Sequence, residues 1–117
     1  MNQRNNLTNS ELVLAPDKSM YHIRLKPEMI ADNIILVGDP ARVDLVSSFF
    51  DSKKYEIQNR EIHSCTGEYK GKPITAISTG MGVDNIDIVV TELDACVNID
   101  LNTREILSNK RQLNLVR

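Results

Sequence analysis

The segment Ile34-Ile35-Leu36-Val37-Gly38-Asp39-Pro40-Ala41-Arg42-Val43 constrains the fold of this chain more than any other stretch. Four consecutive large apolar residues read as a buried strand, because such a run has no polar side to turn toward water. Pro40 suits the first position of a helix, where its missing N–H goes unused. Asp39 can cap that helix, and Val43, Val46, Phe49 and Phe50 recur at the spacing of one helical face, with Arg42, Asp44 and Ser47 on the wet side. Gly38 to Arg42 is then a strand-to-helix turn with a cation on its rim.

The remaining punctuation extends this unit in both directions. Residues 33–37 form the first strand. Residues 53–58 alternate with Tyr55 and Ile57 inward, residues 62–69 can pair with them, and Tyr69-Lys70-Gly71-Lys72 turns the chain into a strand over 73–78. These middle strands are expected to be antiparallel neighbours. Ser78-Thr79-Gly80-Met81-Gly82 is a second turn at the end of a strand, opening a helix of about three turns on Ile86, Val89, Val90, Leu93, Cys96 and Val97. A polar link over 98–110 leads to an alternating strand over 112–117. The order predicts an α/β fold, a mixed twisted sheet flanked by helices.

The length of 117 residues suits one domain. Residues 1–19, Asn-rich at their start, read as a flexible N-terminal tail, and residues 20–117 as the folded part. Functional loops of open α/β sheets follow the carboxyl ends of strands, and none follows the strand at 112–117 here. The chain therefore reads as the amino-terminal, truncated part of a longer domain.

Composition excludes several function classes. Lys and Arg total 14 against 16 Asp and Glu, a net charge of −2, so no surface is built to neutralise a nucleic-acid backbone. Aromatic residues are 4% and Trp is absent, leaving little to stack on bases. No apolar leader or membrane-length window occurs, and Cys65 and Cys96 lack any metal-like spacing. A reduced, cytoplasmic chain with two buried thiols is expected. Ser78 and Thr79 have no neighbouring histidine to activate them, and His63 is expected in solvent or a turn.

What survives is an anion site. Gly38 places backbone amide at a helix start, and Arg42 one turn later carries a planar guanidinium suited to phosphate oxygens. Arg60 lies between two strands and Arg117 ends another. Each also has an ordinary explanation: a solvated helix residue, a surface ion-pair partner near Glu61, a terminal charge.

Tyr21-His22-Ile23-Arg24-Leu25, Gly38-Asp39-Pro40-Ala41-Arg42-Val43, Asn59-Arg60-Glu61, Ser78-Thr79-Gly80-Met81-Gly82 and Leu115-Val116-Arg117 together resemble the nucleoside phosphorylases of the uridine phosphorylase and hexameric purine nucleoside phosphorylase kind, and the uridine phosphorylase branch more closely. The resemblance implies a three-layer phosphorylase/hydrolase-like fold and a glycosyltransferase (pentosyltransferase) of nucleoside metabolism and pyrimidine salvage. Its reaction would be reversible phosphorolysis of uridine or a related nucleoside to free base and ribose 1-phosphate, with inorganic phosphate as co-substrate and no cofactor or catalytic metal.

By the same resemblance Gly38, Arg42, Arg60 and Arg117 hold phosphate, the three arginines being the catalytic set, while His22 contacts ribose at its 5′-hydroxyl and Met81 lines the ribose pocket. Arg60 and His22 would reach into the site of a neighbouring subunit, in a homo-oligomer based on dimers and hexameric in the family. Glu61 and Met81 match two positions of a monovalent-cation site, but Asn85 stands where the family has serine. Asn59 replaces a common histidine. The ribose-binding glutamate and the base-recognition segment would lie beyond residue 117. Two other readings stay open: a hydrolytic nucleosidase relative, and a non-catalytic fragment that binds phosphate weakly.

Overall fold

The computed structural model describes residues 14–60, 62–80, 83–101, 103, 105–107 and 111–116. A five-stranded mixed sheet runs through them, built from β1 (Asn33–Val37), β2 (Ser52–Asn59), β3 (Ile62–Tyr69), β4 (Lys72–Ser78) and β5 (Asn114–Val116) in the order β2-β3-β4-β1-β5. β2, β3 and β4 pair antiparallel, whereas β1 runs parallel to both β4 and β5. Helix α1 (Pro40–Ser47) follows β1, and helix α2 (Val83–Asn98) follows β4.

Strand alternation explains why the helices lie on opposite faces. Ile34, Leu36, Ile62 and Ile77 point to one side, where they form a core with Val89, Leu93, Cys96 and Val97 of α2 and with Met20, Ile23, Leu25 and Ile30. Cys65 and Ala76, of opposite parity, meet Val43 of α1, with Val37, Val46 and Phe50 packed around them. The result is the expected three-layer α/β arrangement. Between the layers Thr66 donates to the Met29 carbonyl at 2.7 Å, while the Thr75 hydroxyl accepts from Ala31 N–H at 2.9 Å. These bonds tie the segment ahead of β1 onto the sheet and leave its buried hydroxyls satisfied.

Several expectations need correction. Residues 14–19 are not a loose tail: Ala15 and Ser19 are buried, and Ala15 N–H donates to the Ser19 carbonyl at 2.8 Å. The earlier part, residues 1–13, lies outside the described residues. Phe49 is 67% exposed, because α1 ends at Ser47 and the helical spacing no longer applies beyond it. Ser47 is buried instead, its hydroxyl donating to the Asp44 carbonyl at 3.2 Å. His63 does not face open solvent or a turn. It lies within β3 with its side chain 14% exposed, 3.8 Å from the Asp44 carboxylate. Helix α2 has 16 residues, longer than the three turns expected.

Both thiols are buried, as expected. Burial pushes the Cys96 thiol up to about 12, and desolvation raises Cys65 as well. The folded state thus keeps a proton that the unfolded Cys96 thiol releases above its ordinary 9.0. This contribution to stability is whole below that value and is lost as pH rises toward about 12. Accordingly, mass-spectrometric mapping after iodoacetamide treatment near pH 9 should find Cys96 unmodified in the native chain and fully alkylated once urea is added. Rapid native alkylation would contradict the burial.

Candidate active site

One end of the sheet gathers the turns singled out in the sequence. β1 and β4 are parallel neighbours, so the turn at Gly38 and the turn at Thr79 and Gly80 emerge together, and Thr79 N–H donates to the Val37 carbonyl at 2.8 Å. β3 begins where β4 ends, Ser64 pairing with Ile77, so the β2–β3 connection at Arg60 lies along the same end. β5 also runs toward it, stopping at Val116. Arg117, Met81 and Glu61 lie outside the described residues.

At the α1 end of this row, the Asp39 carboxylate accepts from Ala41 N–H at 2.9 Å and its carbonyl accepts from Arg42 N–H at 2.9 Å. The cap therefore forms as predicted, and it uses the first helical amides itself. Pro40 has none to give, so within this turn only Gly38 and Asp39 remain as backbone donors for an anion. Among the described residues, a Cβ placed on Gly38 would meet only the Gly80 carbonyl oxygen, at 3.9 Å. That is ordinary contact, so packing against the described residues does not demand glycine at this position.

The four described arginines divide in two. Arg111 is fully engaged, its guanidinium donating to Asp32 and to the carbonyls of Pro27 and Ile30. Arg24 donates to the Tyr21 carbonyl at 3.0 Å and lies over the Tyr21 ring. Arg42 and Arg60 are exposed, and neither guanidinium has a hydrogen-bond or ion-pair partner among the described residues. Arg60 also has φ of 58°, in the left-handed region that glycine or asparagine would occupy more cheaply.

His22 sits beside Arg60. Together with Asn59, Ile62, Asn85 and Ile88 they line a cleft of about 200 Å³. Asn59 Nδ2 donates to the His22 carbonyl at 2.9 Å, joining the Arg60 turn to the loop that carries the histidine. Neither Gly38 nor Arg42 lines this cleft. The structure thus brings His22 and Arg60 together, and places Gly38 and Arg42 together farther along the same sheet end. Larger clefts of about 390 and 670 Å³ lie elsewhere, the second beside Arg111 and Leu115, and neither includes any predicted site residue.

Sequence reasoning missed Glu92. Its carboxylate accepts from the backbone N–H groups of His22 and Ile23, each at 2.9 Å, and meets His22 Nδ1 at 2.6 Å. The available signal was a carboxylate beside Leu93, at the edge of the apolar face of α2.

Residues 32–107 match the model of the phosphorylase superfamily. The chain belongs to that superfamily. Among curated relatives it is 43% identical over 75 residues to a uridine phosphorylase of Thermococcus kodakarensis, covering 64% of this chain and 27% of the relative. It is 42% identical over 79 residues to a DeoD-type purine nucleoside phosphorylase of Anoxybacillus flavithermus, covering 67% and 34%. Among solved structures, a Trypanosoma brucei nucleoside phosphorylase described as showing uridine phosphorylase activity superposes with a TM-score of 0.77 at 45% identity, over 81% of this chain and 30% of that one. A Toxoplasma gondii purine nucleoside phosphorylase, solved with immucillin-H, gives 0.62 at 36% identity, over 69% and 33%. The chain spans about a third of the length of these relatives. The fold at hand is the phosphorylase fold over that span. No described helix is long and apolar enough to cross a membrane.

Proposed function

We propose that this chain supplies the phosphate-holding part, and some of the ribose-holding part, of a nucleoside phosphorylase acting on uridine or a close relative. The observation that carries this reading is the pair of guanidiniums, Arg42 and Arg60, that have no partner among the described residues at the sheet end where Gly38 opens α1. Arginines kept only for the fold are engaged in the manner of Arg24 and Arg111. Two guanidiniums left without partners among the described residues, one of them beside Gly38 and the other along the same sheet end, suit a dianion that arrives from outside.

In the proposed reaction a phosphate oxygen bonds to the anomeric carbon while the bond from that carbon to the base nitrogen breaks. The bonding pair leaves with the base, which then takes up a proton. The sugar passes through an oxocarbenium-like state, so the phosphate dianion must be fixed next to growing positive charge. Planar guanidiniums meet that demand through bidentate contacts, better than mobile ammonium groups. Arg117 and Met81 complete the phosphate and ribose sets by resemblance, and inorganic phosphate is the only co-substrate required. Water as nucleophile, as in a nucleosidase, gives no reason for such arginines.

The separation of Gly38 and Arg42 from the cleft of His22 and Arg60 supports a site shared by two copies in a dimer-based oligomer. One copy would give the first pair and its neighbour the second. Pyrimidine salvage in the cytoplasm is the setting this function suits. The test follows uracil release from uridine, with and without phosphate, by the 117-residue chain and by the same chain joined to the carboxyl-terminal segment of the Thermococcus kodakarensis relative. No turnover by the first and phosphate-dependent turnover by the second is expected. Phosphate-independent turnover would favour the nucleosidase reading, and none in either the non-catalytic one.

A further inference from the structure

The loop that carries His22 is tied by its carbonyl to Asn59, and at its amides and its ring to one carboxylate from a distant part of the sequence. Met20 N–H donates to the Leu25 carbonyl at 3.0 Å and Arg24 N–H to the Met20 carbonyl at 2.8 Å, so residues 20–25 close on themselves. Arg24, with φ of 59°, makes the sharp bend. Into this loop projects Glu92, the tenth residue of α2, 12% exposed, with three N–H partners on two residues. One oxygen accepts from the amides of His22 and Ile23, and the other meets the His22 ring at 2.6 Å while sharing the His22 amide at 3.2 Å.

The chemistry of that contact decides the state of the ring. A carboxylate can only accept, so the neutral imidazole must carry its proton on Nδ1. Nε2 is then the lone-pair acceptor, and it has no partner among the described residues, on a side chain that is 45% exposed at the edge of the cleft shared with Arg60. Tyr21 packs edge-on against the ring with centroids 5.0 Å apart, which limits its rotation. We propose that Glu92 is a positioning residue: it fixes His22 in the Nδ1–H tautomer so that Nε2 accepts a hydrogen bond from a sugar hydroxyl. The inference rests on the reading of His22 as a ribose contact, but its first half concerns the ring alone.

Long-range 1H–15N correlation spectra of the 117-residue chain, recorded where imidazole is neutral, test that half without any turnover. The Nδ1–H pattern is expected for His22 in the wild type. In E92Q one accepting oxygen must serve three N–H groups, so the ring should move toward the Nε2–H form that a free imidazole prefers. A wild-type ring in the Nε2–H form, or a folded E92Q whose ring is unchanged, overturns the inference. Should E92Q fail to fold, the wild-type spectrum still decides. In the chain joined to a relative's carboxyl-terminal segment, E92Q should raise KM for uridine about tenfold, with kcat little changed, and leave KM for 5′-deoxyuridine unmoved. An equal effect on both nucleosides, with the tautomer shifting as expected, would overturn the ribose role of His22 while upholding the part of Glu92 in setting the ring.

Discussion

Arg60→Gly is expected to make the fold slightly more stable and the enzyme much worse. At φ of 58° the arginine occupies backbone space that an L side chain enters at a cost. That cost is roughly 1–2 kcal/mol, whereas glycine's extra backbone freedom in the unfolded chain costs roughly 0.5–1 kcal/mol. Relief wins, so urea unfolding should show a gain of about 0.5–1 kcal/mol. Phosphorolysis by the chain joined to a carboxyl-terminal segment should fall about 10²–10³-fold, the scale seen when one preorganised group facing transition-state charge is removed. Arg60→Lys should retain the backbone cost and recover only part of the rate, since an ammonium cannot form the guanidinium fork. A stability loss with activity intact would assign Arg60 to the turn and remove it from the site.

The same residue shows where the sequence was legible. β1 and β3 occupy the residues expected, 33–37 and 62–69, because each run is closed by turn-forming neighbours. The cap at Asp39 needed only local chemistry, and local chemistry delivered it. Errors began where one element depended on another. Phe49 carries the right spacing but follows the end of a short helix, and nothing near His63 in the sequence signals its cover, Asp44 on α1. That Arg111 is engaged, while Arg42 and Arg60 have no partner among the described residues, rests on carbonyls about 80 residues from Arg111, which no spacing rule reaches. Glu92 was hidden likewise. Its partners on the His22 loop lie 69 and 70 positions upstream, and a carboxylate on an amphipathic helix ordinarily marks the wet face.

Two glycines distinguish what the fold needs from what a ligand needs. A Cβ on Gly67 would come 2.1 Å from the Ser52 carbonyl oxygen and 2.9 Å from Phe50 Cδ2. Backbone on one side and a packed ring on the other leave it nowhere to go, next to the β2 irregularity between Lys53 and Tyr55. Gly67→Ala should therefore cost about 3 kcal/mol or more, lowering Tm by roughly 10–20 °C. Gly38 is outside the left-handed region, and its Cβ would have 3.9 Å of clearance from Gly80. Gly38→Ala should leave stability within about 0.5 kcal/mol. Its methyl would nevertheless stand where a phosphate oxygen must approach the backbone, so phosphate-dependent turnover in the extended chain should drop at least about tenfold. The comparison is read by thermal unfolding of both variants and by their phosphate saturation curves. If Gly38→Ala unfolds as early as Gly67→Ala, the glycine serves the strand-to-helix turn itself; if it keeps both stability and phosphate affinity, the anion is held by the arginines without the help of this turn.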